Sequence, residues 1–475
     1  MLKKIDQRWF AFIILCLGTL MEVLDSTIVN VALPSIRTSL HFSESNLAWV
    51  VNAYLLTFGG FLLLGGKLGD LYGQRKLFII GITIFTLASL TCGIADSQAV
   101  LIIARAIQGL GGAVLAAVSL SLVMNLFTKE EERTRAMGYF GFIAAGGGAI
   151  GVLVGGLLTS SFDWHWNFLV NVPIGIAVIA FAFKVLPNTR VNVTHRHLDI
   201  GGAVTVTAAL LLAVYAIVNG NQSGWTSVQT FGLLGLAIIL LGIFLWIESR
   251  VQAPLMPLTL FKLRNVSVAN IVACLWAAGM FAWFFLSALY LQLVLHYSPL
   301  QVGLAFLPAN LIMAVFSLGL SAKLVMRFGI KKPLAVGLLF AALGLFLFVR
   351  VPVNGNFVYD VLPNMILLGI GAGAAFNPML LAAMDGVPPD ESGLASGIVN
   401  TAFMMGGSLG LAILASVAAS QTSSLLASGH SQAEALTAGY HAAFLVGTIF
   451  AGLAAILSAT MLRVSKGSYS DNPRN

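Results

Sequence analysis

Met21-Glu22-Val23-Leu24-Asp25-Ser26-Thr27-Ile28-Val29-Asn30-Val31-Ala32-Leu33-Pro34 is the stretch from which the rest of the chain can be read. It forms the outer half of the first long apolar segment, which runs from Trp9 to Val31 as one expected membrane-spanning helix. Two carboxylates, Glu22 and Asp25, interrupt that segment. Their spacing stacks them on one helical face, one turn above the other. An acid inside a spanning helix is costly, so by default it faces a bundle interior or an aqueous cavity and acts there. A plainer role, bracing a neighbouring helix, is open to both.

The 475 residues are 58% hydrophobic and only 9% charged, which excludes a soluble globular protein and indicates a polytopic membrane protein. Fourteen apolar stretches, each roughly 18 to 28 residues long, recur from end to end and suffice to cross a hydrocarbon core about 30 Å thick. The first lies at 9–31, the fifth at 136–159, the seventh and eighth at 199–219 and 228–248, and the last at 441–463. The 49 glycines suit close helix packing in lipid. Met1-Leu2-Lys3-Lys4 imitates a signal peptide, but the long apolar run and the lack of a small-residue cleavage site imply a retained span. Cys16, Cys92 and Cys274 fall inside spans as packing residues, which indicates neither a disulfide framework nor a metal cluster.

A net charge of +7 invites a nucleic-acid reading, and the placement of the basic residues argues against it. With fourteen spans and the N-terminus inside, all Lys and Arg except Arg37, Arg105 and Arg350 fall on the cytoplasmic side. Arg37 and Arg350 fall outside, and Arg105 lies in the fourth span. Both termini are therefore expected in the cytoplasm, and no nucleic-acid partner is needed.

The second span runs into Gly66-Lys67-Leu68-Gly69-Asp70-Leu71-Tyr72-Gly73-Gln74-Arg75-Lys76, where glycines permit a tight turn and Asp70, Arg75 and Lys76 can make charge-assisted contacts. Leu101-Ile102-Ile103-Ala104-Arg105-Ala106-Ile107-Gln108-Gly109-Leu110-Gly111-Gly112-Ala113 lies in the fourth span. Counting from Pro34 and Asp96, Asp25 and Arg105 each sit roughly 13 Å from an outer helix end, so they are candidate partners. Arg105 could instead donate to backbone carbonyls or bind a substrate anion. In the fifth span Gly138, Gly147, Gly151, Gly155 and Gly156 recur, the last four along one stripe that lets another helix approach.

Trp164-His165-Trp166-Asn167-Phe168-Leu169-Val170-Asn171-Val172-Pro173-Ile174-Gly175 marks an outer interface whose tryptophans are expected to form an aromatic belt, with His165 at the surface. The polar connection from Pro187 to Asp199, with Arg190, His195, Arg196 and His197, reads as a solvated loop rather than a metal site. The two spans after it, joined by residues 219–225, read as an inserted hairpin without internal charge. The ninth span is rich in aromatics, which form either packing or a drug-binding wall. Ala322 to Lys332 echoes the Gly66 loop, the weak internal repeat of a two-half transporter. Asp390, Glu391 and Ser392 open the thirteenth span, at the positive end of its dipole.

Together these stretches resemble the major facilitator superfamily, specifically its fourteen-span drug:proton antiporter group. Gly66 to Lys76 resembles the family's cytoplasmic motif, Leu101 to Ala113 its fourth-span arginine motif, and Leu24 to Pro34, with Trp164 to Gly175, the signature of the fourteen-span group. The fifth-span glycines match the antiporter motif in spacing, with Val152 where the family usually has proline, so that helix should bend less. Leu71 replaces a frequent basic residue, and Glu22 is not a usual part of the signature.

The resemblance implies an all-α major facilitator fold with two six-helix halves, 1–186 and 251–463, an inserted segment with two extra helices at 187–250, and a cytoplasmic tail at 464–475. It implies halves that rock about a central site, and an Asp70 that latches onto the start of the thirteenth span when the cytoplasmic side is closed. The expected function is proton-coupled efflux of lipophilic, cationic compounds across the cell inner membrane, with Asp25, Arg105 and Glu22 coupling the proton. Asn30, Asn52, Tyr54, Trp276, Phe281, Tyr290 and Gln292 are candidates for the substrate cavity. Export of a cell-made solute is the alternative. A sensor or scaffold would need an appended signalling domain, which the tail after Arg463 is not expected to supply. An enzyme is not expected: no nucleophile–base set, metal cluster or Walker-type loop appears, so no cofactor is implied and the proton gradient is the expected energy source.

Overall fold

The computed structural model describes residues 7–127, 129–187, 198–252, 254–388 and 391–463. The Arg190, His195, Arg196 and His197 loop, Asp390 and the 464–475 tail lie outside the described residues. Helices dominate: α1 (Gln7–Leu40), α2 (Ser45–Tyr72), α3 (Gln74–Gly93), α4 (Gln98–Leu126), α5 (Glu130–Ser161), α6 (Trp166–Val185), α7 (Ile200–Ser223), α8 (Val228–Arg250), α9 (Arg264–Val294), α10 (Pro299–Phe328), α11 (Lys331–Phe348), α12 (Phe357–Met384), α13 (Ser392–Ala427) and α14 (Gln432–Met461).

Among the described residues thirteen of these helices are long and apolar enough to cross a membrane, one fewer than the sequence suggested. The exception is α5, a 32-residue helix whose apolar described part is the shorter Gly146–Ser161. Its first turn, Glu130-Glu131-Glu132-Arg133, is charged, and the sequence after Ala136 carries no charged residue up to Ser161. The helix continues unbroken through Val152, as expected where proline is missing.

The chain reverses sharply between α2 and α3 at Gly73, whose φ of 95° explains why glycine occupies the turn. Side-chain caps define other helix starts. Ser298 with Gln301 and Ser431 with Glu434 each form a capping box, at α10 and α14.

α1 to α6 pack mainly on one another, as do α9 to α14. The two groups meet along three seams: α5 on α10, α2 on α13, and α1 on α9. α7 lies over the second seam and touches both α2 and α13, while α8 packs on α7 and leaves Phe231, Ile238, Ile239 and Trp246 exposed. An apolar outer surface of this kind matches a hydrocarbon surround. Of the expected tryptophan belt, Trp166 is exposed but Trp164 is buried at 3%, stacked on His165 with ring centroids 3.7 Å apart. Trp164 therefore packs the end of the bundle, and only Trp166 fits an interfacial position.

Candidate functional site

α1 and α4 carry Asp25 and Arg105 to the same depth, where the two side chains meet. Arg105 Nη1 lies 2.5 Å from Asp25 Oδ2, and the side chains are 1% and 0% exposed. The pair sits in a web of polar groups from five helices. Arg105 Nε donates to the Val50 carbonyl of α2 at 2.9 Å, and Nη1 also donates to Gln108 Oε1 at 2.6 Å. With its oxygen so occupied, Gln108 presents its amide nitrogen to Asp25 Oδ1 at 2.7 Å and to Ser89 Oγ of α3 at 2.8 Å. Asn171 Nδ2 of α6 reaches the same Asp25 oxygen at 3.1 Å. Asp25 thus accepts from three side-chain donors, one of them the Arg105 guanidinium. The guanidinium carbon lies 4.5 Å from the centre of the Tyr54 ring, which adds a cation–π face.

Of the partners open to Arg105, the acid and a backbone carbonyl are both engaged at once. The sequence does not single out Gln108 and Asn171, which donate to Asp25, or Ser89, which accepts from Gln108. Gln108 was within reach of that reasoning, because three residues after Arg105 it must share its helical face. Asn171 and Ser89 come from other helices and needed the fold.

Glu22 lies outside the web. It is half-buried, makes no hydrogen bond or ion pair with a described residue, and has Tyr54 and Asp25 as its electrostatic neighbours. Asn52 is fully buried on the α2–α13 seam, where its side-chain oxygen accepts from Ser408 at 3.1 Å. Asn30 donates back to Ser26 of its own helix, and Gln292 of α9 donates to the Val31 carbonyl of α1 at 2.9 Å. The aromatic candidates pack rather than line one cavity. Trp276 and Phe281 both meet Phe403 of α13, and the Tyr290 hydroxyl donates to the Pro352 carbonyl at 2.7 Å. A cavity of about 400 Å³ opens elsewhere, between α7, α13 and α14, near Asn221, Trp225 and Gln421.

The glycine stripe of α5 does what its spacing suggests. Gly147, Gly151 and Gly155 face Val23, Thr27 and Ile28 of α1, whereas Gly156 faces the Pro299 carbonyl of α10. A Cβ on Gly155 would lie 3.0 Å from the Ile28 backbone, and one on Gly156 would lie 2.6 Å from the Pro299 oxygen. Gly138 lies in the same helix. At the α2–α3 turn, Gly66 lies within α2, the Arg75 guanidinium donates to the Phe183 carbonyl, and Lys76 is exposed. Asp70 is also exposed and has Gln74 as its polar neighbour. It makes no hydrogen bond or ion pair with the described start of α13, so the expected latch is not made between described residues.

Residues 15–411 match the Major Facilitator Superfamily. The chain belongs to that superfamily. It is therefore a multi-pass transporter of the cell membrane rather than an enzyme. It is 37% identical over 457 residues to the puromycin resistance protein pur8 of Streptomyces alboniger, covering 96% of this chain and 90% of that one. The cephamycin export protein CmcT of Amycolatopsis lactamdurans is 38% identical over 424 residues, covering 89% and 87%. The multidrug resistance protein Stp of Mycobacterium tuberculosis (strain CDC 1551 / Oshkosh) is 37% identical over 410 residues, covering 86% and 76%. Among solved structures, an auto-inhibited POT family peptide transporter matches 98% of this chain and 99% of its own with a TM-score of 0.69 at 17% identity, which shows the shared fold.

Proposed function

We propose that this transporter is a proton-coupled efflux pump for lipophilic, cationic compounds, with α5 as its fourteenth span and its basic face, with both termini, in the cytoplasm. The observation that carries the proposal is the wholly buried Asp25–Arg105 pair with its Gln108 and Asn171 donors. A buried pair of this kind is retained in an apolar bundle only with full hydrogen bonding, and adding one proton to the acid removes the charge that holds it together. Protonation of Asp25 then releases Arg105 to its remaining partners, the Val50 carbonyl and Gln108, and shifts the balance between two arrangements of the halves. Glu22, one turn nearer the basic face and without a hydrogen-bond or ion-pair partner among the described residues, serves as the substrate-facing carboxylate or a second proton site.

The halves 1–186 and 251–463 rock about this site, and the bonds Gln292–Val31 and Leu300–Ser160 belong to a closed outer face. That Asp70 makes no bond to the described start of α13 fits a cytoplasmic face that is not closed in the same state. Resistance and export proteins among the relatives support efflux as the direction. The cephamycin export relative favours a second reading, export of a cell-made small molecule, in which drug efflux is incidental.

Ethidium efflux from cells expressing the protein, with and without an uncoupler, tests the proposal. Uncoupler-sensitive efflux that disappears in Asp25→Asn is the expected result. No efflux from folded, membrane-inserted protein contradicts the cationic assignment and turns the search to neutral or anionic solutes.

A further inference from the structure

The proposed coupling site leaves one pair of buried acids unused, at the basic end of the α7–α8 hairpin. Asp199 caps α7 and is 4% exposed, and Glu248, near the end of α8, is 3% exposed. Glu248 corrects the expectation that the hairpin is free of internal charge; two residues from Arg250, it reads in the sequence as a flanking residue at the helix end. Each carboxyl has one oxygen engaged. Asp199 Oδ1 accepts from the Gly202 backbone at 2.7 Å, and Glu248 Oε2 accepts from the Met256 backbone at 3.0 Å.

The other two oxygens, Asp199 Oδ2 and Glu248 Oε1, are buried and receive no hydrogen bond from a described donor. They converge over Gly202, where a Cβ would lie 2.5 Å from the first and 3.0 Å from the second, so only glycine leaves room for both. Two facing carboxylate oxygens repel in a poorly solvated site. A single proton between them turns the repulsion into a charge-assisted O–H···O⁻ hydrogen bond.

Among the described residues of the helices packed on them, the charged side chain that acts on both acids through space is Lys67 of α2, which itself donates to the Pro254 carbonyl beside the segment that holds Glu248. α13, which packs on α7 as well, has no charged residue between Ser392 and Ala427. One proton on the pair leaves one negative charge to match Lys67, and its loss leaves two.

We propose that Asp199 and Glu248 form a second proton-binding site, separate from Asp25, in which the two carboxyls share one proton. The site stands at the foot of a helix that touches both halves. α7 packs Thr207 against Gly60 of α2, and its Asn221 and Ile217 bond to Ser416 of α13 at 2.8 and 2.9 Å. A change of charge at the foot of α7 therefore acts on the α2–α13 seam.

The test is infrared spectroscopy of the purified full chain carrying Glu22→Gln and Asp25→Asn, so that neither of those acids contributes. A protonated-carboxyl C=O band is expected at neutral pH, with loss of the band on alkaline titration and its absence after either Glu248→Gln or Asp199→Asn. Both substitutions keep the side-chain shape and one oxygen to accept the existing backbone bond. Absence of the band at neutral pH in the parent chain, a measurement that needs neither further variant, overturns the proposal. So does a band that persists in a folded variant. The readout does not depend on transport, so its failure is distinct from failure of the efflux reading.

Discussion

Asp25 and Arg105 were legible as partners because residue counts along two helices placed them at one depth. The number of groups that hold them was not, since Asn171 and Ser89 arrive from helices whose faces only the fold fixes. That shared web makes the two residues interdependent. Removing one member of a buried pair costs about 3–5 kcal/mol because its partner stays charged and unpaired. Arg105→Ala should therefore lower the amount of folded protein and its thermal midpoint, and Arg105→Ala with Asp25→Asn should recover much of both while remaining inactive. Fluorescence-detected size exclusion with a thermal ramp reads this cycle; additive losses would show that the two side chains do not share the coupling drawn here. Arg105→Lys keeps the charge but not the planar fork that serves Val50, Asp25 and Gln108 together. At least tenfold slower efflux is expected for it at normal expression, and a wild-type rate would show that charge alone suffices.

At the scale of the element, α5 shows how far a spacing pattern can be read. Its glycine spacing announced a close helix contact, and Gly147, Gly151 and Gly155 make one with α1. Spacing also could not say that one stripe serves two neighbours, α1 through Gly151 and Gly155 and α10 through Gly156. Gly156→Leu forces side-chain atoms against the Pro299 backbone and should wedge the α5–α10 seam open. Thiol labelling from outside of a cysteine placed at Leu300 should then increase severalfold, and unchanged labelling would mean the seam is not a moving contact. Gly232→Ala on α8, where a Cβ meets nothing within 4 Å, should leave efflux and stability at wild-type levels, which separates crowding from any general effect of losing glycine.

For the whole molecule, the sequence conveyed the all-helical fold and, among the described residues, thirteen of the fourteen long apolar helices it led us to expect. The state of the proposed rocking cycle was not available from it, because that depends on contacts of small net energy, such as Ser160 with Leu300 at one face and, at the other, Asp70, which makes no bond to the described start of α13. A Ser160→Cys, Leu300→Cys protein should lose efflux on oxidation and regain it on reduction if that outer contact must break in every turnover. Full activity with the crosslink formed would contradict rocking at this seam. The central claim is that a proton on Asp25 drives the cycle, and its most direct measurement is ethidium efflux against an imposed pH gradient in everted vesicles, comparing Asp25→Asn with the wild-type chain at matched folded protein. Gradient-dependent transport in the wild type and none above background in Asp25→Asn is the predicted result; undiminished gradient-driven transport in Asp25→Asn would contradict it.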